Sequence, residues 1–188
     1  HGWMPAYPET TGYVLEILLW RSQAVPGSED LAARALEMGR WLAEVQEPDG
    51  GIMLGHIETP VHRSIGFNTG QVLPGWMTLE EAGVEDCSAA ADRAARFLVD
   101  KMNADGIWDP AVEYSEIPHT YNSRVTWAML RYATMRQDEE VRDAALRQLD
   151  WTVRQQTVDG WFENCTFKGS GNPNSHALAY TTRGLLES

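Results

Sequence analysis

Apolar positions recur along this chain at helical spacing, and they do so in two styles that alternate. From Thr11 to about Ser22 the segment around Tyr13, Val14, Leu15, Ile17, Leu18, Leu19 and Trp20 is apolar nearly all round, as a buried helix is. Over about 30–46 the apolar residues narrow to one stripe, Leu31, Ala35, Met38, Leu42 and Val45, with Arg34, Glu37, Arg40 and Glu44 opposite. That pattern predicts a surface helix packed on one side. The alternation then repeats: a largely apolar helix from about Thr69, a one-sided helix at about 88–102, an apolar helix from about Tyr121, a one-sided helix at about 138–156, and a final apolar segment from His176 to Leu186. Pro74 predicts a kink or a late start in the third helix. No segment sustains a strand period, so the class is all-α with about seven helices.

Each one-sided helix ends in the same kind of turn. Gln46-Glu47-Pro48-Asp49-Gly50-Gly51-Ile52, Met102-Asn103-Ala104-Asp105-Gly106-Ile107-Trp108 and Gln156-Thr157-Val158-Asp159-Gly160-Trp161-Phe162 are three copies, with the aspartates 56 (49 to 105) and 54 (105 to 159) residues apart. Gly stops a helix by taking the left-handed conformation, and Asp bonds nearby backbone. A fixed period of this size marks a stack of one supersecondary unit. Three to four inner/outer hairpins, with inner helices covered on every side and outer ones on one, satisfy the alternation as a partial (α/α) toroid. The links after the outer helices are long, at roughly fifteen to twenty residues, which is the length at which loops become functional. Antiparallel hairpins gather these long links at one end, and His56, His62, His119 and His176 all fall in or beside them.

The turn-and-helix pattern resembles the repeat of the squalene–hopene cyclase and protein prenyltransferase superfamily. There an aromatic and Leu or Ile stand before Gln, and Gly-x-aromatic follows. Trp41-Leu42…Gln46…Gly50-x-Ile52 matches except in its last residue, Phe97-Leu98…Met102…Gly106-x-Trp108 lacks the Gln, and Trp151-Thr152…Gln156…Gly160-x-Phe162 departs at Thr152. The resemblance implies the toroid. Cyclases of that group carry an Asp-x-Asp-Asp acid motif, and this chain has none. Prenyltransferases hold zinc on Asp, Cys and His; the nearest set here, Glu163, Cys165 and His176, reads as a buried thiol and a loop histidine, so no metal or cofactor is expected.

Thr11-Gly12-Tyr13, Phe67-Asn68-Thr69-Gly70-Gln71, Thr120-Tyr121-Asn122-Ser123-Arg124-Val125-x-Trp127 and Tyr180-x-x-Arg183-Gly184-Leu185-Leu186-Glu187 look like toroid proteins associated with polysaccharide genes. That likeness implies a lyase, epimerase or hydrolase acting on a glycan at the loop end. The alternatives are a non-catalytic repeat module that binds glycan or protein, and an isoprenoid cyclase or transferase.

Candidate chemistry follows from the residue types. Uronate lysis or epimerisation needs a carboxylate neutralised and a proton moved, and His119, Tyr121, Asn122 and Arg124 bring those groups to one helix start. Hydrolysis needs two carboxyl groups. The loop acids are Glu9, Glu58, Asp109, Glu113, Glu116 and Glu163, of which Glu9 beside Tyr7-Pro8 and Glu163 beside Trp161 are the favoured pair. Loop tryptophans Trp3, Trp108 and Trp161 offer stacking faces, with Trp108 and Trp161 taken as substrate-binding together with His62, His176 and Arg183.

The formal net charge of −12 argues against nucleic acid or an anionic membrane as partner. No apolar run of membrane-spanning length and no leader pattern occurs. The length is that of one domain over 1–188. An apolar first helix and Leu185-Leu186 near the other end suggest a piece of a longer toroid, or a ring closed by self-association.

Overall fold

The computed structural model describes residues 2, 4–115, 117–167 and 174–188. Among them are seven α-helices: α1 (Pro8–Ala24), α2 (Asp30–Glu44), α3 (Gly66–Glu81), α4 (Ser88–Asp100), α5 (Ser123–Arg136), α6 (Glu139–Arg154) and α7 (Ser175–Glu187). The class is all-α, and the helices fall where the apolar spacing puts them. Helix α1 starts three residues earlier than expected because Pro8 occupies its first turn, where a missing N–H costs nothing. Helix α3 runs through Pro74 unbroken: burial of Leu73, Trp76, Met77 and Leu79 around it outweighs one lost backbone bond. Trp3, Glu116 and part of the third long link (168–173) lie outside the described residues.

Two strands, which no period announced, do appear. β1 (Ile52–Met53) and β2 (Ser64–Ile65) pair antiparallel, Ile52 with Ile65 and Met53 with Ser64. A ladder of two residues is too short to show alternation in sequence. Single bridges, Met102–Trp108 and Gln156–Phe162, join the chain before and after the second and third turns.

The Asp-Gly turns are one structure made three times. Gly50, Gly106 and Gly160 have φ of +88°, +81° and +88°. The same two backbone bonds close each turn: Glu47 N–H to Gly51 O (3.0 Å) and Gly50 N–H to Glu47 O (2.9 Å), then Asn103 to Ile107 (2.9 Å) and Gly106 to Asn103 (3.1 Å), then Thr157 to Trp161 (2.7 Å) and Gly160 to Thr157 (2.9 Å). Gln46 braces the first turn, donating to Gly50 O (2.8 Å) and to Ala90 O of α4 (3.0 Å). Where Met102 replaces that Gln, the Asn103 side chain accepts from Asp105 and Ile107 N–H instead, both at 3.0 Å.

The chain forms two compact units, His1–Phe97 and Leu98–Ser188, with the division inside α4. In the first, α1 packs on α2 and α3. Gly12 makes that approach, since a Cβ there would stand 2.7 Å from Gln71 O and 2.8 Å from Val72 Cα. The Trp76 indole donates to Gly39 O (3.0 Å), tying α3 to α2. Against the expectation of a helix covered all round, α1 buries only Pro8, Gly12, Leu15 and Leu19. Its other side leaves Val14, Ile17 and Trp20 exposed, Trp20 at 65%, because α2 and α3 both pack on the side that carries Gly12, Leu15 and Leu19.

In the second unit α5 packs on α6 and α7. Thr126 of α5 donates to Gln148 Oε1 of α6 (2.6 Å), whose amide donates on to Thr152 (3.0 Å), a buried polar pair satisfied within the core. Gly184 lets α7 press on the first turn of α5: a Cβ would meet Ser123 C at 2.4 Å and Arg124 N at 2.5 Å.

Candidate functional site

Pro118 holds the chain extended before His119, which opens a 3-10 turn, Thr120–Asn122, leading into α5. A second 3-10 turn, Pro110–Val112, is capped by the Asp109 carboxylate, which accepts from Ala111 N–H at 2.8 Å. Beside these two turns, Glu113 and His119 point inward. Glu113, His119, Tyr121 and Asn122 are thereby buried together, Glu113 with 2% of its surface exposed.

Asn122 Nδ2 donates to Glu113 Oε1 at 2.7 Å, and the Ser115 hydroxyl lies 2.9 Å from His119 Nε2. The His119 and Tyr121 rings stack at 4.5 Å with 15° between planes. From there rings touch in series toward the surface: Tyr121 to Phe167 (5.2 Å), Phe167 to His176 (5.7 Å), and His176 edge-on to Tyr180 (4.5 Å). Tyr121 is buried and His176 exposed, so the series runs from the sealed cluster to solvent.

Burial sets the protonation of both titratable groups. It pushes the Glu113 carboxyl up to about 8, against the opposing hydrogen bond from Asn122. It pulls His119 down to about 4, against the nearby carbonyls of Thr166 and Asn164. Near neutral pH Glu113 is therefore a protonated acid and His119 an uncharged imidazole, protonation states that proton transfer can use.

The other candidates are dispersed. Arg124 stacks on Trp127 (4.6 Å) and points at Glu187, 3.6 Å away, which also accepts from Arg183 Nε at 2.6 Å. Arg124 and Arg183 thus meet over one carboxylate of α7, turned away from Asn122 as one helix start requires. Glu9 belongs to the first unit and accepts from Tyr13 at 2.9 Å. His62, also in that unit, pairs with Glu47 at 2.9 Å. Glu163 is exposed and its backbone N–H closes the third turn on Gln155 O (2.9 Å). Trp161 keeps 52% of its surface open, whereas Trp108 is 3% exposed and its indole donates to Leu98 O at 2.9 Å, so its ring serves packing. Cys165 is buried against Thr181 Oγ1, 3.6 Å away, and no group of three or more metal-ligating side chains gathers among the described residues.

Glu113 stands among the loop acids of the sequence but outside the favoured pair, and Phe167 is not singled out there. The repeat carried no signal for Glu113: 56 residues earlier stands Ile57 (57 to 113), which is itself exposed. Asn68 likewise precedes Asn122 by 54 and donates to Met53 O (2.7 Å) where Asn122 donates to Glu113.

On the outer side, Asp109, Pro110 and Pro118 line an open cleft of about 520 Å³ with Asp100, Lys101 and Asn103. Among known families, the squalene-hopene cyclase C-terminal domain model matches residues 4–184. No curated protein matches the chain. The family match spans nearly the whole sequence, including all three turns, helices α1 to α6 and most of α7, and accounts for the toroid-type repeat. The chain belongs to the squalene-hopene cyclase C-terminal domain family.

Proposed function

We propose that this chain cleaves a glycan by proton transfer, with Glu113 as the acid. The observation that carries the reading is a buried carboxyl group, oriented by Asn122, which burial pushes up to about 8 and so keeps protonated near neutral pH. In glycosidic cleavage such an acid protonates the leaving oxygen, and a base on the other side activates water. Glu113 takes the first role and the His119 imidazole the second. Phe167 and His176 offer ring faces at the exposed end of the aromatic series.

Within the glycan reading the geometry favours hydrolysis over uronate lysis or epimerisation. Both groups suited to neutralising a substrate carboxylate are occupied, Asn122 by Glu113 and Arg124 by Glu187. Glu113 has 2% of its surface exposed, so the acid is held away from bulk water.

Family membership favours a second reading, isoprenoid cyclisation, in which the same acid protonates an alkene and the aromatic series stabilises positive charge. The missing Asp-x-Asp-Asp motif favours the first. Release of reducing ends from neutral polysaccharides, measured for the intact chain and for Glu113→Gln, tests the proposal. It predicts a loss of about 100-fold or more in the variant. Equal rates in both, or conversion of squalene with no action on any polysaccharide, would contradict it.

A further inference from the structure

The three Asp-Gly turns share one backbone, yet two are covered and one is open. Gly50 and Gly106 are buried, whereas Gly160 is exposed. The next outer helix in sequence covers each of the first two. A Cβ on Gly50 would stand 2.5 Å from Arg93 O of α4, and one on Gly106 would stand 2.6 Å from Arg147 O of α6. Nothing among the described residues comes within 4 Å of a Cβ on Gly160. In two copies, then, the left-handed glycine is also a seat for helix backbone, an approach that only a residue without a side chain permits.

The seated helices present the same residues. Arg93 stands four residues before Phe97 (93 to 97) and Arg147 four before Trp151 (147 to 151). Three residues earlier, on the same helix face, are Ala90 and Ala144, both buried. Side chains of the first turn also engage this Ala-x-x-Arg stripe. Gln46 donates to Ala90 O (3.0 Å) and accepts from the Arg93 guanidinium (2.6 Å). Met102 stands in that place in the second turn, and Gln156 restores it in the third. Gln156 makes the bond inside its own turn, donating to Gly160 O (3.4 Å) as Gln46 donates to Gly50 O (2.8 Å), and it is exposed. Around it Val153, Val158 and Trp161 are all more than half exposed. Asp159 and Glu163 are exposed on the same stretch. An apolar rim set with carboxylates complements an amphipathic helix that carries a cation.

We propose that the third Asp-Gly turn is a docking seat for an amphipathic helix of a protein partner, one that lays an Ala-x-x-Arg stripe against Gly160 and Gln156. A second copy of this chain does not offer that stripe. Its α4 and α6 already seat theirs, and α2 carries Arg34 and Glu37 at the matching distances from Trp41, an exposed ion pair at 2.9 Å. The inference is independent of the chemistry proposed above.

Amide NMR of the whole chain tests it, with a stapled helical peptide of residues 88–101 as the probe. The peptide is expected to shift the amides of 156–162 and to leave those of 46–52 unmoved, since α4 covers the first turn. The same peptide with Ala90→Arg and Arg93→Glu, the residues of α2, should bind about 10-fold or more weakly. Gly160→Ala in the chain should weaken binding as much, by placing a methyl group where helix backbone lies. Gln156→Ala removes an exposed side chain, so it should weaken binding with the denaturation midpoint unchanged. No shift at 156–162, equal binding by the two peptides, or binding that neither chain substitution weakens would overturn the proposal. So would amides of 156–162 that move with protein concentration when no peptide is present, the sign of a second copy in the seat.

Discussion

A carboxyl group sealed from water gains little by ionising, and Glu113 makes folding depend on pH in a direction that surface acids do not. Its folded value, about 8, lies above the ordinary 4.5, so between those pH values the folded state holds a proton that the unfolded state has lost. Its contribution is complete below about 4.5 and is lost as pH rises through 8. His119 acts oppositely: its folded value of about 4 lies below 6.5, so its contribution grows as pH rises from 4 to 6.5. The two slopes cancel between about 4.5 and 6.5, and only the Glu113 loss remains above. Chemical denaturation at stepped pH should show a plateau there, then a fall of about 2 kcal/mol by pH 8 at roughly 1.4 kcal/mol per unit. Glu113→Gln should remove the fall, and His119→Asn should turn the plateau into a decline. The glycines give a second test. Gly106 and Gly160 occupy the same left-handed position, but a Cβ at Gly106 meets the Arg147–Gln148 backbone at 2.4–2.5 Å while one at Gly160 meets nothing. Gly160→Ala should cost about 1–2 kcal/mol of backbone strain. Gly106→Ala adds about 1–3 kcal/mol of overpacking, measurable as a lower denaturation midpoint.

At the scale of elements, apolar periodicity alone located all seven helices, because a stripe repeating every three to four residues matches the helical turn and not the two-residue pleat of a strand. It misjudged α1, since an all-round apolar segment tells that a helix can be covered on every side, not that neighbours cover it. Leu15 and Trp20 separate the two: Leu15 is fully buried and Trp20 mostly open. Leu15→Ala should cost about 2–5 kcal/mol, and Trp20→Glu should stay within about 0.5 kcal/mol, by the same denaturation assay. The close crossing of α7 on α5 makes a sharper prediction. Gly184→Ala places a methyl group against the Ser123 and Arg124 backbone, which cannot rotate away. A loss of about 1–3 kcal/mol is expected, with weakened protection of α7 amides in hydrogen exchange.

For the molecule as a whole, three copies of one turn disclosed the repeat, and the repeat disclosed the family. The site was less legible. His119, Tyr121 and Asn122 were visible as a loaded run and do come together. Their acid was not, because exposed and buried loop acids are spelled alike, and Glu9 and Glu163 drew notice through their neighbours in sequence. What hides Glu113 is its tertiary placement against Asn122 at the start of α5, an event without a period. The proposed chemistry depends on that concealed carboxyl group keeping its proton where ordinary carboxyls have lost theirs. A side-chain carboxyl ¹³C titration of the folded chain, with Glu113→Gln identifying the resonance, measures it directly. A midpoint about 8 is expected, and a midpoint near 4.5 would contradict the account.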